Sequence, residues 1–186
     1  RLSTGMVVET ISDEGYLNNP DRSARYLDPD VAAGFAWEPE VYPNTRNSTA
    51  VSLNAQYFVW YRAAIHGGYR YFTDSWGVDA STIRVGYTHP LGDRSGVEVN
   101  YRWYDQSAAD FYSDLFPRET SQNFVGRDKE LSTFQSQMFT VGATWQLPPL
   151  RWGGVERSTV NLFYDYALYD YADFRDILKG GAPGDE

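Results

Sequence analysis

Three arginines stand where they could recognise an anion. Arg70 and Arg102 occupy the middle of two Tyr-Arg-aromatic triplets, and Arg84 lies between them. Glu98 and His66 belong to the same segments. A guanidinium group binds carboxylates and phosphates through paired hydrogen bonds, and rings of charged residues select ions in pores. The chemistry that these residues predict is therefore anion recognition or internal ion pairing.

Motifs for catalysis are absent from the sequence. The two histidines, His66 and His89, have no metal-ligand spacing between them, and there is no cysteine. The sequence contains no Gly-x-Ser-x-Gly elbow and no glycine-rich phosphate loop. We therefore expect a protein that is not an enzyme and that holds no cofactor and no metal.

Acidic residues are concentrated in two polar segments, where their oxygen atoms could bind calcium. The spacing is not that of an EF-hand loop, so solvated acidic loops are the preferred interpretation. The first set is Asp105, Asp110, Asp114 and Glu119; the second is Asp13, Glu14, Asp21, Asp28 and Asp30. For the second set, divalent cations that bridge lipopolysaccharide to the loop stay an alternative.

Composition limits the class of protein. The formal net charge is −9, which argues against nucleic-acid binding because that needs a basic face. Only two lysines occur, Lys129 and Lys179, whereas soluble β-proteins usually place lysine on solvated faces and edges. No apolar run reaches the length of about 18 residues that a transmembrane helix requires. Aromatic residues make up 17% of the chain, which favours strands and membrane interfaces.

The elements that must position these side chains are strands. Apolar and polar residues alternate with a period of two in seven segments of roughly 10 residues, long for a soluble sheet but right for a tilted membrane crossing. The predicted strands are residues 2–10, 48–60, 63–73, 80–89, 97–106, 137–147 and 158–169.

Short and long connections alternate along the chain, except for a short link at 74–79. This indicates an antiparallel up-and-down transmembrane β-barrel with short periplasmic turns and long extracellular loops. The short connections are a tight turn near Tyr61 and the segments 89–96 and 147–154, and the long ones are 12–47, 106–134 and the tail after 170. Segment 12–47 is predicted to hold at most short elements.

Charge separates the two faces of the predicted strands. In the cores of the seven strands the apolar parity carries no charged residue, whereas the polar parity carries Glu9, Arg70, Arg84, Glu98, Arg102 and Asp165, together with His66. An arginine or lysine at mid-membrane costs about 2–4 kcal/mol, so the apolar parity is predicted to face lipid and the polar parity a lumen. Two interpretations of this charged belt stay open: it selects anionic solutes, or its Arg–Glu pairs fill and rigidify a narrow barrel.

Aromatic residues lie towards the ends of the apolar parity. We predict that they form two rings at the two membrane interfaces, although strands favour aromatic residues in any case. The predicted aromatic girdle consists of Tyr57, Tyr69, Tyr71, Tyr87, Tyr101, Trp103, Trp145, Tyr164 and Tyr166.

Several motifs resemble one family of bacterial outer-membrane proteins. They include YRYFTDSWGVDA at 69–80, YRWYDQSAADFYSDLFPR at 101–118, PEVYPNTR at 39–46 and VNLFYDYALYDYADFRD at 160–176. The family they resemble is the domain of unknown function 3570. The resemblance implies a Gram-negative outer-membrane barrel with no assigned activity. Members are longer at the N-terminus and close with a further strand, so we expect residues 1–186 to be one barrel domain that is partial at both ends.

The function expected from these features is that of a channel or a membrane-embedded scaffold, with outer-membrane lipid and lipopolysaccharide around it. The first alternative is a plugged barrel that anchors a periplasmic or cell-surface protein complex, including one for electron transfer or cofactor handling. A less favoured alternative is a soluble β-barrel whose apolar interior binds a hydrophobic ligand.

Overall fold

A computed structural model describes residues 1–15, 22–147 and 158–175. Within these ranges no helix is both long and apolar enough to cross a membrane. The strands are β1 (Leu2–Glu14), β2 (Ser23–Leu27), β3 (Phe35–Pro39), β4 (Thr45–Phe58), β5 (Ala64–Asp74), β6 (Asp79–Leu91), β7 (Ser95–Gln106), β8 (Phe134–Leu147) and β9 (Ser158–Tyr171).

Seven strands form one antiparallel sheet in the order β1-β4-β5-β6-β7-β8-β9. Strands β2 and β3 pair with each other in a separate hairpin. Every strand of the large sheet therefore pairs with the next one of that sheet along the chain. The predicted all-β, antiparallel, up-and-down fold class is confirmed.

Most strands extend beyond their predicted ends, although β4 ends at Phe58 instead of residue 60 and β5 begins at Ala64 instead of residue 63. Strand β1 continues to Glu14 and β4 begins at Thr45, so the predicted 12–47 loop is shorter at both ends. Polar cross-strand pairs carry the ladder beyond the apolar stretch, since Asp13 is opposite Arg46 and the Ser12 hydroxyl donates to Asn47 Oδ1 over 2.6 Å. The β2–β3 hairpin is the short element expected inside this segment.

The predicted tight turn at Tyr61 is confirmed. Tyr61 and Arg62 have φ angles of 57° and 61°, and the backbone N–H of Ala63 donates to the Trp60 carbonyl over 3.2 Å. Two consecutive left-handed residues match the twist of a hairpin, although each costs a residue other than glycine roughly 1–2 kcal/mol. The predicted 147–154 turn lies, beyond Leu147, outside the described residues.

The two faces of the sheet differ in exposure. We call the side that carries Val141, Leu162 and Met6 the apolar face, and these side chains are 53%, 65% and 67% exposed. The opposite side, the polar face, includes Thr82 and Ser136, which are 5% and 7% exposed. The apolar residues are therefore uncovered while much of the polar face is covered.

The sheet curls around its polar face. One concavity of about 750 Å³ is lined by residues of β1, β4, β5, β6, β7 and β8, from Ser3 to Thr140. In a flat sheet the first and last of these six strands would lie about 24 Å apart, at roughly 4.8 Å per strand. The polar side of the sheet therefore presents one concave surface that six neighbouring strands share.

The loops at one end of the sheet fold into a cap, which comprises residues 22–44, 75–78 and 107–133. Its larger apolar cluster contains Trp76, Val78, Ala109, Phe111 and Leu131, and Phe72 of the polar face packs against it. The Gln106 side chain, also on the polar face, donates to the carbonyls of Glu130 and Ser132 over 2.9 and 2.8 Å. The cap therefore contacts the polar side of the sheet.

Candidate functional site

The three arginines of the predicted belt lie on the polar face of adjacent strands. Arg84 of β6 is directly opposite Arg102 of β7, and Arg70 of β5 lies diagonal to Arg84. Arg70 is 3.6 Å from the Glu9 carboxylate. In the part of the chain that the structure describes, neither Arg84 nor Arg102 forms an ion pair, and Arg102 lies over the Tyr104 ring. Internal ion pairing therefore accounts for Arg70 but not for the other two arginines of the belt.

His66 and Glu98 belong to a separate hydrogen-bonded chain. His66 Nε2 lies 2.9 Å from Asn100 Oδ1, and the Asn100 amide donates to the Glu98 carboxylate over 3.4 Å. His66 and Asn100 are on strands that flank β6, and Gly86 lies between them in the same cross-strand row. A Cβ on Gly86 would be 2.1 Å from His66 Nε2 and 2.2 Å from Asn100 Oδ1. The absence of a side chain at this position allows the contact.

All members of the predicted aromatic girdle lie on the apolar face. The cross-strand register places Tyr57, Tyr69, Tyr71, Tyr87, Tyr101, Trp103, Trp145, Tyr164 and Tyr166 on this one side. The same register links Tyr57, Tyr87 and Tyr164 through one row. Rows run obliquely to a barrel axis when strands tilt, so the arrangement in two rings stays a prediction.

Charged residues reach the apolar face only at the cap end of the described strands. Each lies within the last two residues of its strand at that end, and they are Glu14, Asp79, Asp105 and Asp170. Between Val160 and Leu168 of β9, this parity is apolar or tyrosine. Eight residue steps at roughly 3.4 Å each span about 27 Å along the strand.

A buried ionic cluster holds the cap together. Asp114 accepts hydrogen bonds from Arg25 over 2.7 Å and from Arg127 over 3.0 Å. The side chains of the three residues are only 6%, 14% and 13% exposed, in the order Arg25, Asp114 and Arg127. Arg127 also donates to the Arg175 carbonyl over 2.7 Å. The interpretation of Asp114 as part of a solvated acidic loop is wrong, because two arginines enclose its carboxylate.

A second ion pair, which no sequence pattern signalled, fixes the short 74–78 link. The Asp74 side chain is fully buried and accepts from Arg46 over 2.7 Å. Its other oxygen accepts the backbone N–H groups of Trp76 and Val78 over 2.9 and 3.0 Å. Gly77, with φ of +83°, completes the turn. The Trp76 side chain of this link packs in the larger apolar cluster of the cap, so the link is part of the cap.

Two cap tyrosines have perturbed acidity. Burial raises the pKa of the Tyr42 phenol well above its usual value, and the hydrogen bond between its hydroxyl and the Glu40 carboxylate adds to this. Burial likewise raises the pKa of Tyr112, whose hydroxyl donates to the Asp173 carbonyl over 3.4 Å. Both groups therefore stay neutral in the folded cap near neutral pH.

In the described part of the chain, the acidic residues do not form a metal-binding arrangement. Among residues 1–15, 22–147 and 158–175, no group of three or more His, Asp or Glu residues could hold a metal ion. Asp110 and Glu119 are exposed, in keeping with solvated loops, and Asp28 caps its own turn by accepting from the Asp30 N–H over 3.0 Å. Asp21 lies outside the described residues.

One protein family matches the chain, over residues 5–167, under the description "Protein of unknown function (DUF3570)". The chain belongs to this family. The match covers all seven strands of the large sheet except the first residues of β1 and the last residues of β9. It therefore confirms the resemblance to DUF3570 that the motifs indicated. No curated protein and no solved structure matches the chain significantly.

Proposed function

We propose that this chain forms part of the wall of a bacterial outer-membrane β-barrel, with lipid and lipopolysaccharide outside and a polar lumen inside. The observation that carries the proposal is the inverted distribution of side chains. Apolar residues such as Val141 are more than half exposed on a face whose charges are confined to one end, while the arginines occupy the opposite face. A soluble barrel with an apolar interior would need the reverse arrangement.

The geometry favours a barrel whose lumen is capped. Phe72 and Gln106, which belong to the polar face, contact the cap directly. The cap has an apolar core and a buried ionic cluster of its own, which is typical of a folded loop unit and not of a flexible loop. We therefore favour a capped, membrane-embedded scaffold over an open pore.

The cap surface supports a role in holding a partner protein. Several large apolar side chains there are exposed by about two fifths or more: Leu27, Val31, Trp37, Leu115 and Phe124. An exposed apolar patch on a folded unit is typical of a protein interaction site, and the backbone hydrogen bond from Leu27 to Phe116 brings Leu27 next to the segment that carries Leu115. A cell-surface partner bound at the cap is thus part of the proposal, and an ion- or solute-conducting channel is the second candidate, favoured by the unpaired arginines in the concavity.

A pair of neighbouring residues on β8 tests the membrane assignment. Val141 lies on the apolar face and Thr140 on the polar face, where its hydroxyl contacts Asp165. Val141→Arg should block assembly into the outer membrane, since arginine facing mid-membrane lipid costs about 2–4 kcal/mol. Thr140→Arg introduces the same charge beside a carboxylate and should assemble normally.

Assembly is measured as the fraction of full-length protein that resists urea extraction from outer-membrane preparations. Equal yields of the Val141→Arg and Thr140→Arg variants would contradict the assignment of the faces. Single-channel conductance of the wild-type protein in a planar bilayer then separates the two candidate functions. Stable insertion without conductance supports the capped scaffold, whereas steady conductance supports the channel.

A further inference from the structure

We propose that Arg84 and Arg102 form a binding site for the phosphate group of a small solute. The site rests on the proposed function, because it lies on the face that we assign to the lumen. The starting observation is that the β6–β7 ladder sets two arginines directly opposite each other. Two like charges directly opposite each other on neighbouring strands destabilise a sheet. Proteins keep such locally unfavourable arrangements mainly at functional sites.

The acids of the same face do not neutralise this pair. Glu9 pairs with Arg70, and Asp165 accepts a hydrogen bond from Thr140. Glu98 accepts from Asn100, and its Cγ lies so close to Gly142 that a Cβ there would be 2.7 Å away. Glu98 therefore leans over β8, on the side away from β6 and Arg84. The two guanidinium groups are left without a carboxylate in the described part of the chain.

The space beside the pair can hold a ligand. Arg84 and Arg102 both line the concavity of about 750 Å³, which falls in the range of small-molecule sites. Gln56, His66 and Thr140 add polar groups to the wall, and Met138 adds apolar surface. Arg84 also borders a crevice of about 70 Å³ that it shares with Arg70. An anion between the guanidinium groups would thus have room for an attached organic body.

The chemistry of the pair favours a doubly charged oxyanion. Each guanidinium presents a planar fork of donors that matches phosphate geometry, and two forks on one anion need several acceptor oxygens and two negative charges. A phosphate monoester supplies both near neutral pH. Chloride has neither the oxygens nor the charge, so it should compete weakly.

The first test measures binding of inorganic phosphate to the full-length, detergent-solubilised protein by calorimetry at low salt. Arg84→Gln and Arg102→Gln should each lower the affinity about tenfold or more, since charge-assisted hydrogen bonds are the strong ones. Arg62→Gln is the matched control, because Arg62 pairs with Asp93 at an exposed turn and its loss changes net charge equally. Affinity that is the same in all three variants would overturn the site.

A second measurement separates a binding site from a structural role. Without phosphate, Arg84→Gln should be at least as stable to heat as the wild type, because it removes a like-charge contact. Phosphate should raise the unfolding temperature of the wild type but not of Arg84→Gln. Destabilisation of Arg84→Gln in phosphate-free buffer would overturn the proposal in favour of a structural arginine.

One comparison distinguishes a solute phosphate from a lipid headgroup, and another separates this inference from the proposed function. Phenyl phosphate and short-chain phosphatidic acid are compared as competitors of inorganic phosphate. Stronger competition by the lipid would overturn the assignment of the ligand as a small solute, in favour of a lipid headgroup. A wild-type protein that assembles in membranes but does not bind phosphate contradicts this inference alone. A failure of the Val141→Arg and Thr140→Arg comparison contradicts the proposed function instead.

Discussion

Substitution of Gly86 by alanine should destabilise the sheet from its polar face. Gly86 lies between His66 and Asn100 in one cross-strand row, and the hydrogen bond between those two side chains passes over it. The new methyl group would be 2.1 Å from His66 Nε2 and 2.2 Å from Asn100 Oδ1. Real contacts of this kind are well above 3 Å, so both side chains must move apart.

The expected cost follows from three contributions. Loss of the hydrogen bond between His66 and Asn100 costs about 0.5–1.5 kcal/mol. Displacement of the two side chains in a tight site costs about 1–3 kcal/mol. Replacement of glycine by alanine within a strand returns about 0.5–1 kcal/mol through backbone entropy. We therefore expect Gly86→Ala to lower the free energy of unfolding by about 0.5–4 kcal/mol, centred near 2 kcal/mol.

Gly5 provides the matched control. It lies on the polar face of β1, and a Cβ there would meet nothing within 4 Å, so Gly5→Ala should be neutral or stabilising by up to about 1 kcal/mol. Urea unfolding of the membrane-embedded protein, followed by tryptophan fluorescence, gives both values. If Gly86→Ala proves as stable as Gly5→Ala, the close packing of His66 and Asn100 over β6 is refuted.

Two further predictions concern the cap. Asp114→Asn leaves the charges of Arg25 and Arg127 buried without their carboxylate, so the cap should lose about 3 kcal/mol of stability. Limited proteolysis of the cap measures this loss. A cleavage rate equal to that of the wild type would refute the ionic cluster. Because the pKa of Tyr42 is raised in the folded state, its contribution to stability is present below the unfolded value of about 10 and is lost as the pH rises above it. Near-ultraviolet circular dichroism should show the cap loosening in this alkaline range, and Tyr42→Phe, which keeps the ring but cannot ionise, should weaken that pH dependence.

The strands and their two faces could be predicted from sequence because they depend on a local pattern. Alternation along 97–106 alone assigns Val99 to one side and Asn100 to the other, and the register agrees. The ends of the strands were harder to predict from the sequence. Polar pairs such as Asp13 with Arg46 extend the ladder, and their pairing is visible only once the register is known.

The contacts of the site and of the cap depend on residues far apart in the chain. His66 and Asn100 meet because two independent registers bring both to Gly86. Arg25 and Asp114 are separated by 89 positions, so nothing near Asp114 distinguished a buried carboxylate from a solvated one. Period-two alternation therefore identifies the faces, whereas partners across the sheet require the fold.

The most direct test of the membrane assignment is a nitroxide scan along β8 of the full-length protein in lipid bilayers. Residues 1–186 contain no cysteine, so single cysteines at residues 138–141, 143 and 144 can be labelled cleanly once any cysteine outside this range is replaced. Gly142 is left out because it packs against Phe163. We predict that oxygen, which partitions into lipid, reaches residues 139, 141 and 143 best, while a water-soluble nickel chelate reaches residues 138, 140 and 144 best. Nickel access at 139, 141 and 143 equal to that at the even positions would contradict a lipid-facing apolar side.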